Sequence, residues 1–140
     1  MRLHIVARGK IGRSPEQELV ERYVKRINWD VKLSELPEKG GKTPKIGDQT
    51  KIIALDETGE NWTSKAFAKV LNGWRDNGVR EARFLIGAAD GLTEEERSSA
   101  DLFFSFGKAT WPHLMARAML AEQLFRATAI IANHPYHREG

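Results

Sequence analysis

Cysteine is absent from the 140-residue sequence. That excludes a disulfide framework, thiolate metal ligands and a cysteine nucleophile, and it fits a reducing cytoplasm. No apolar run approaches the roughly 18–20 residues a membrane-spanning helix needs. The opening Met1-Arg2-Leu3-His4-Ile5-Val6 reads as a strand and lacks the apolar core and small-residue cleavage site of a signal peptide. Also missing are G-x-G-x-x-G and a P-loop lysine, which argues against a dinucleotide or nucleoside-triphosphate cradle. There is no H-E-x-x-H, no His/Asp/Glu cluster at metal spacing and no G-x-S-x-G elbow, so no metal is expected and ordinary hydrolase chemistry has little support.

What is present is the composition of a globular chain, 41% apolar and 29% charged. Residues 1–140 read as one α/β domain. Charge is unevenly spread: residues 1–51 carry 12 basic and 7 acidic side chains, 52–106 carry 6 and 10, and 107–140 carry 4 and 2. Two basic ends flank an acidic middle. This is either local fluctuation of a solvated surface or a docking face for a polyanion.

The pattern along the chain is β-α-β-β-α-β-α-β-α. Leu3–Ala7 is a buried first strand. Ser14-Pro15-Glu16-Gln17 opens a helix as a capping box, with Leu19, Val20, Tyr23, Val24 and Ile27 on one face. Val31, Leu33 and Leu36 mark a second strand, 37–49 a loop, and Lys51–Leu55 a third strand ending at Asp56. Thr63 or Ser64 opens a helix with Phe67, Val70, Leu71 and Trp74 on its face, closed by Asn77-Gly78. Arg83–Ile86 is the fourth strand. Thr93 and Glu96 box a short acidic helix, Leu102–Phe106 is the fifth strand, and Pro112 starts a long final helix reaching Ala132. Strands alternating with helices predict a mainly parallel sheet flanked by helices.

Ligands of such sheets bind beyond the carboxyl ends of the strands. Three ends stand out: Leu55-Asp56, Gly87–Gly91 and Phe106–Trp111. Their glycines either let backbone approach a ligand or merely make turns. The final helix is apolar nearly all round, so it is either buried in the domain or shared between two subunits. Arg117 within it needs an anion, from an internal salt bridge or from a ligand. The tail His134-Pro135-Tyr136-His137-Arg138 is either a frayed terminus or a base-stacking, phosphate-pairing segment.

The chain resembles the ribosomal RNA large-subunit methyltransferase H family, a minimal family of the SPOUT class, from end to end. The likeness is carried by Leu3–Ala7 with Arg8-Gly9-Lys10, Leu55-Asp56 with Gly59, Leu85-Ile86-Gly87 with Gly91-Leu92, and Ser105-Phe106 leading to Thr110-Trp111-Pro112-His113. It continues through Arg117, Glu122-Gln123, Phe125-Arg126-Ala127 and the tail from His134 to Glu139. The combination of the Pro-His helix start with the Tyr-His-Arg tail is its most specific part. Two departures are a 37–49 segment shorter than usual and Gly87-Ala88-Ala89-Asp90-Gly91 where the family often has Gly-Gly-x-x-Gly. A third is the bulky Trp111, in place of a smaller apolar residue.

The resemblance implies a SPOUT α/β-knot with a C-terminal trefoil knot, a cytoplasmic homodimer, and S-adenosyl-L-methionine as methyl donor. It implies N3 of a pseudouridine in 23S rRNA as target, with the large ribosomal subunit or assembled ribosome as partner. The donor would be held by Leu55, Gly87, Phe106, Gly107, Lys108, Ala109, Thr110 and Trp111. Catalysis would fall to His113, Arg117, Tyr136, His137 and Arg138. His113 would hold the proton acceptor or the donor, Arg117 would stabilise the anion, and the tail would grip the flipped nucleotide across the dimer interface. Rival readings are a SPOUT enzyme acting on another rRNA or tRNA base, a non-catalytic ribosome-binding factor of the same fold, and a small phosphate-binding α/β protein.

Overall fold

The computed structural model describes residues 1–138. They form β1 (Arg2–Arg8), α1 (Pro15–Val24), β2 (Val31–Leu36), β3 (Thr50–Glu60), α2 (Ser64–Asp76), β4 (Glu81–Ile86), α3 (Glu94–Ser99), β5 (Leu102–Phe104) and α4 (His113–Ile131). The order is the one the periodicity predicts. The five strands make one sheet in the order β2-β1-β4-β3-β5, and every neighbouring pair is parallel.

Strand side chains alternate between faces. Leu3, Ile5 and Ala7 of β1, Ala82, Phe84 and Ile86 of β4 and Ile53 of β3 therefore share one face, where they meet Phe67 and Leu71 of α2 and Leu120 and Leu124 of α4. Val20 of α1 packs on Ala118 and Ala121 of α4. Helix α4 thus lies between α1 and α2 with the sheet beneath it. That placement explains why its sequence is apolar nearly all round: most of its circumference is buried within one chain. Trp111 and Met115 at its amino end remain exposed. The other sheet face carries Val6, Leu36, Ile52, Ala54 and Leu85, together with the buried polar residues His4, Arg8 and Arg83.

Local differences from the sequence pattern have physical causes. Ser14 caps α1 by accepting the Gln17 amide at 3.1 Å, but the Gln17 side chain donates to Glu21 Oε1 at 3.0 Å instead of reaching back, so the box is half formed. Helix α1 ends at Val24, and Leu19 is 37% exposed rather than on the packed face. The Thr93–Glu96 box is complete. Strand β3 does not end at Asp56. It bulges and rejoins β5, with both Leu55 and Glu60 opposite Phe104. Strand β5 stops at Phe104, two residues early, because Ser105 Oγ accepts the Gly107 amide at 3.0 Å and turns the chain.

On the second face, the His4 ring bonds Glu81 Oε2 at 3.2 Å and Ser34 Oγ at 2.8 Å. Burial holds its pKa below the ordinary 6.5, Glu81 opposes this, and the nearby Arg83 and Lys32 charges reinforce it. The folded chain therefore binds fewer protons than the unfolded one just below pH 6.5, and stability falls with acidification there. We expect Tm to drop by a few degrees between pH 7 and 5.5. In His4→Gln, which keeps an amide for Ser34, that slope should flatten; an unchanged slope in calorimetric melts would refute the assignment.

Candidate functional site

The carboxyl ends of the adjacent strands β4, β3 and β5 open into a cavity of about 360 Å³, within the roughly 300–1,000 Å³ range of small-molecule sites. Its wall contains Leu55, Gly87, Phe106, Gly107, Ala109, Thr110 and Trp111, seven of the eight residues the resemblance assigns to the donor. Lys108 lies between two of them but does not line it. His113 and Ala116 bring the first turn of α4 to the same cavity. Among the described residues no side chain caps α4, so its free amide groups and positive dipole end lie beside the cavity.

The loops are fixed by short-range bonds. Gly91 N–H donates to Ala88 O at 2.9 Å, closing the turn after β4. Thr110 Oγ1 donates to Glu57 Oε2 at 2.7 Å, tying the loop after β5 to the β3 bulge. Asp56 accepts from Thr58 and pairs with Arg97 at 3.0 Å. Burial pushes the Asp56 carboxyl up, but Thr58 and Arg97 outweigh it and hold it below its ordinary value. With Asp56, Glu57 and Asp90 against Arg97, the wall leans acidic. The strand ends singled out in the sequence include Asp56 and Asp90 but not Glu57. Glu57 comes from the β3 bulge, which polar Asp56-Glu57-Thr58-Gly59 disguises as a turn.

Among the described residues, His113 Nδ1 is buried without a hydrogen-bond partner, as is Arg117 Nε one helical turn later. Arg117 is wholly buried. Its guanidinium donates to Glu35 Oε2 at 2.5 Å, Gly9 O at 3.1 Å and Arg8 O at 3.3 Å, and it does not line the cavity. Gly9 links the two residues: a Cβ there would lie 3.2 Å from His113 Cε1.

The tail folds back on the far half of α4. The Tyr136 ring sits 4.6 Å from that of Phe125 and its hydroxyl donates to Glu122 Oε1 at 3.2 Å. Arg126 lies 4.7 Å over the same ring, pairs with Glu122 and bonds His137 Nδ1 at 3.2 Å. Burial and the Glu122 charge push the Tyr136 phenol up, so it stays protonated at neutral pH. Arg138 is exposed, and Glu139 lies outside the described residues. Glu122 is nine residues beyond His113, about 13 Å along the helix. Within one chain the tail and the cavity are therefore separate.

Among the described residues no cluster could hold a metal ion, and no helix is long and apolar enough to cross a membrane.

The sequence model of the family described as "Predicted SPOUT methyltransferase" matches residues 1–137. The ribosomal RNA large subunit methyltransferase H of Sphingopyxis alaskensis is 65% identical over 140 residues, covering 100% of this chain and 99% of that protein. Its namesake in Bradyrhizobium diazoefficiens is 40% identical over 159 residues, covering 99% of each. A solved "probable methylase family protein" of Haemophilus influenzae Rd KW20 superposes with a TM-score of 0.60 at 12% identity, over 99% of this chain and 70% of that one, a likeness of fold alone.

Proposed function

The chain belongs to the SPOUT methyltransferase family, and on that premise we propose that it methylates N3 of a pseudouridine in 23S rRNA, with S-adenosyl-L-methionine as donor. The observation that carries the reading is the cavity at the ends of β3, β4 and β5. Leu55, Ile86, Leu92 and Phe106 supply apolar walls, and Gly87 and Gly107 expose backbone for the polar edge of a base. Asp56, Glu57 and Asp90 suit a cationic donor. The uncapped amino end of α4 suits a carboxylate. The residues present therefore fit the donor, which supplies an activated methyl group on a sulfonium without any metal.

The target nitrogen must lose a proton and be held in line with the methyl group. His113, which lines the cavity and whose buried Nδ1 has no partner among the described residues, is the candidate proton acceptor. Arg117 holds Gly9 against His113 and positions it, since its forked donors face Glu35 and the backbone. Tyr136, a protonated phenol beside Arg126 and His137, suits stacking and gripping of an extruded base rather than proton removal. Cavity and tail lie apart in one chain, so the proposal includes a cytoplasmic homodimer in which each tail completes the partner's site. The trefoil knot implied by the resemblance belongs to the same reading.

Labelled donor mixed with free rRNA, large subunits or whole ribosomes from a strain lacking the gene tests it. Label on N3 of a 23S pseudouridine, identified by mass spectrometry, is expected. Label on another base would redirect the substrate, and donor binding without label on any rRNA would move the search to tRNA. A chain that does not bind the donor at all would be a ribosome-binding factor.

A further inference from the structure

Residues 37–49 have no helix or strand, yet two buried arginines fasten them to the second sheet face. Arg8 pairs with Glu96 at 3.1 Å and donates to Pro37 O at 2.9 Å and Gly40 O at 2.7 Å. Arg83 pairs with Glu81 at 2.8 Å and donates to Pro44 O and Lys45 O, both at 2.8 Å. Each guanidinium thus has an acid outside the segment, Glu96 of α3 or Glu81 of β4, and two carbonyls on the segment side. Charge-assisted bonds of this kind, made in a buried setting, fix a segment that would otherwise be mobile.

The fastened segment carries Lys39, Lys42 and Lys45, three residues apart, with no acid between them. All three are exposed, and no side chain of theirs has an anionic partner among the described residues. Its first end adjoins the site: Glu38 Oε1 and the His113 ring both lie against Gly9, 2.7 and 3.2 Å from where a Cβ would be. Its other end, at Lys45, borders an open groove of about 660 Å³ at the amino edge of the sheet, lined also by Arg2, Arg75 and Arg80. Arg83 stands in register with His4, four residues before Arg8 on β1, so the segment crosses about 13 Å of sheet. The groove is mixed in charge, since Asp30, Asp48 and Glu81 line it too and Asp30 pairs with Arg2. The fastened row of exposed lysines running from the catalytic edge is what matches a partner with regularly spaced anions.

We infer that this strap is a phosphate-binding track for the rRNA substrate, holding the strand that flanks the target nucleotide. The inference rests on the proposed rRNA activity. It assigns RNA contact to a segment that, at 140 residues against relatives aligned over 159, belongs to a shorter chain.

The test is K39Q/K42Q/K45Q beside wild type and K69Q, a neutralised lysine on the exposed side of α2. Methylation is followed on naked 23S rRNA and on ribosomes between 50 and 200 mM salt, with Tm and donor affinity measured in parallel. The triple variant should keep its Tm, donor affinity and kcat, while KM for RNA rises about tenfold and the log–log salt slope falls by about 2, near 0.7–0.9 per lost phosphate contact. K69Q should match wild type. A triple variant with wild-type KM and salt slope would overturn the track and leave the activity standing. Impairment on ribosomes but not on naked rRNA that wild type methylates would overturn it in favour of a protein contact. A wild type that neither binds nor methylates rRNA would overturn both.

Discussion

Gly87→Ala should cost about a hundredfold in methyl-donor affinity while leaving the chain folded. A Cβ at this position would lie 2.7 Å from Gly91 C and O and 2.8 Å from Leu92 N. All three are backbone atoms of a turn closed by Gly91 N–H to Ala88 O at 2.9 Å, so no side chain can swing aside. Relief requires the turn to open by about half an ångström or more, and both of its ends line the cavity. Displacements on that scale cost on the order of 10²-fold where geometry must be exact to bind or react. Gly91→Ala is the useful contrast. Its φ of +98° penalises any side chain, but no atom lies within 4 Å of the new Cβ, so only the left-handed cost of about 1–2 kcal/mol applies, which falls on fold stability and leaves donor affinity near wild type. Calorimetric titration with S-adenosyl-L-methionine reads both. If Gly87→Ala binds as wild type does, the cavity after β4 is not the donor site.

This loop also shows what a sequence can display. Gly87 and Gly91 announce a tight turn at the end of an apolar run, and strand ends of a parallel sheet are where ligands sit. The position of the cavity was legible for that reason. The alanines at 88 and 89 do not disturb it, because the close approach occurs at 87. Capping residues and apolar periodicity made all nine elements legible in order. Strand order was not, since β1 reaches β4 only through hydrogen bonds that leave no mark on residue type. The bulge of β3 was missed because its polar residues read as a turn. The strap over 37–49 was equally hidden: Arg8 and Arg83 bind backbone carbonyls, and a carbonyl acceptor carries no sequence signature. Arg117 was legible as a buried cation needing an anion, but Glu35 lies 82 positions away on an edge strand, and nothing local names it.

Arg117→Met should destabilise the chain by about 2–3 kcal/mol, because the wholly buried guanidinium is the donor to two backbone carbonyls that would be left unsatisfied, at about 1–3 kcal/mol each, and lower Tm by several degrees. The variant leaves Arg8 O and Gly9 O without their donor, while the exposed Glu35 carboxylate keeps the Ile11 amide and solvent. Burial works against the Glu35 charge, but the Ile11 amide and the Arg117 guanidinium outweigh it and hold this carboxyl below its ordinary value. A depressed carboxylate adds stability above its unfolded pKa and loses it as pH falls through the folded one. The wild-type advantage over Glu35→Gln should therefore be full at neutral pH and shrink below about pH 4.5. The two possible roles of Arg117 separate in the kinetics. If it steadies Gly9 against His113, Glu35→Gln should reproduce most of the loss in kcat, because it loosens the same fork without touching the arginine. If the guanidinium instead meets the reacting base, Glu35→Gln should leave kcat nearly intact. Arg117→Lys, assayed well below its Tm, would then lose 10²–10³-fold, as removal of a charge-stabilising donor does. The bonds to Glu35 and to the 8–9 backbone favour the first outcome.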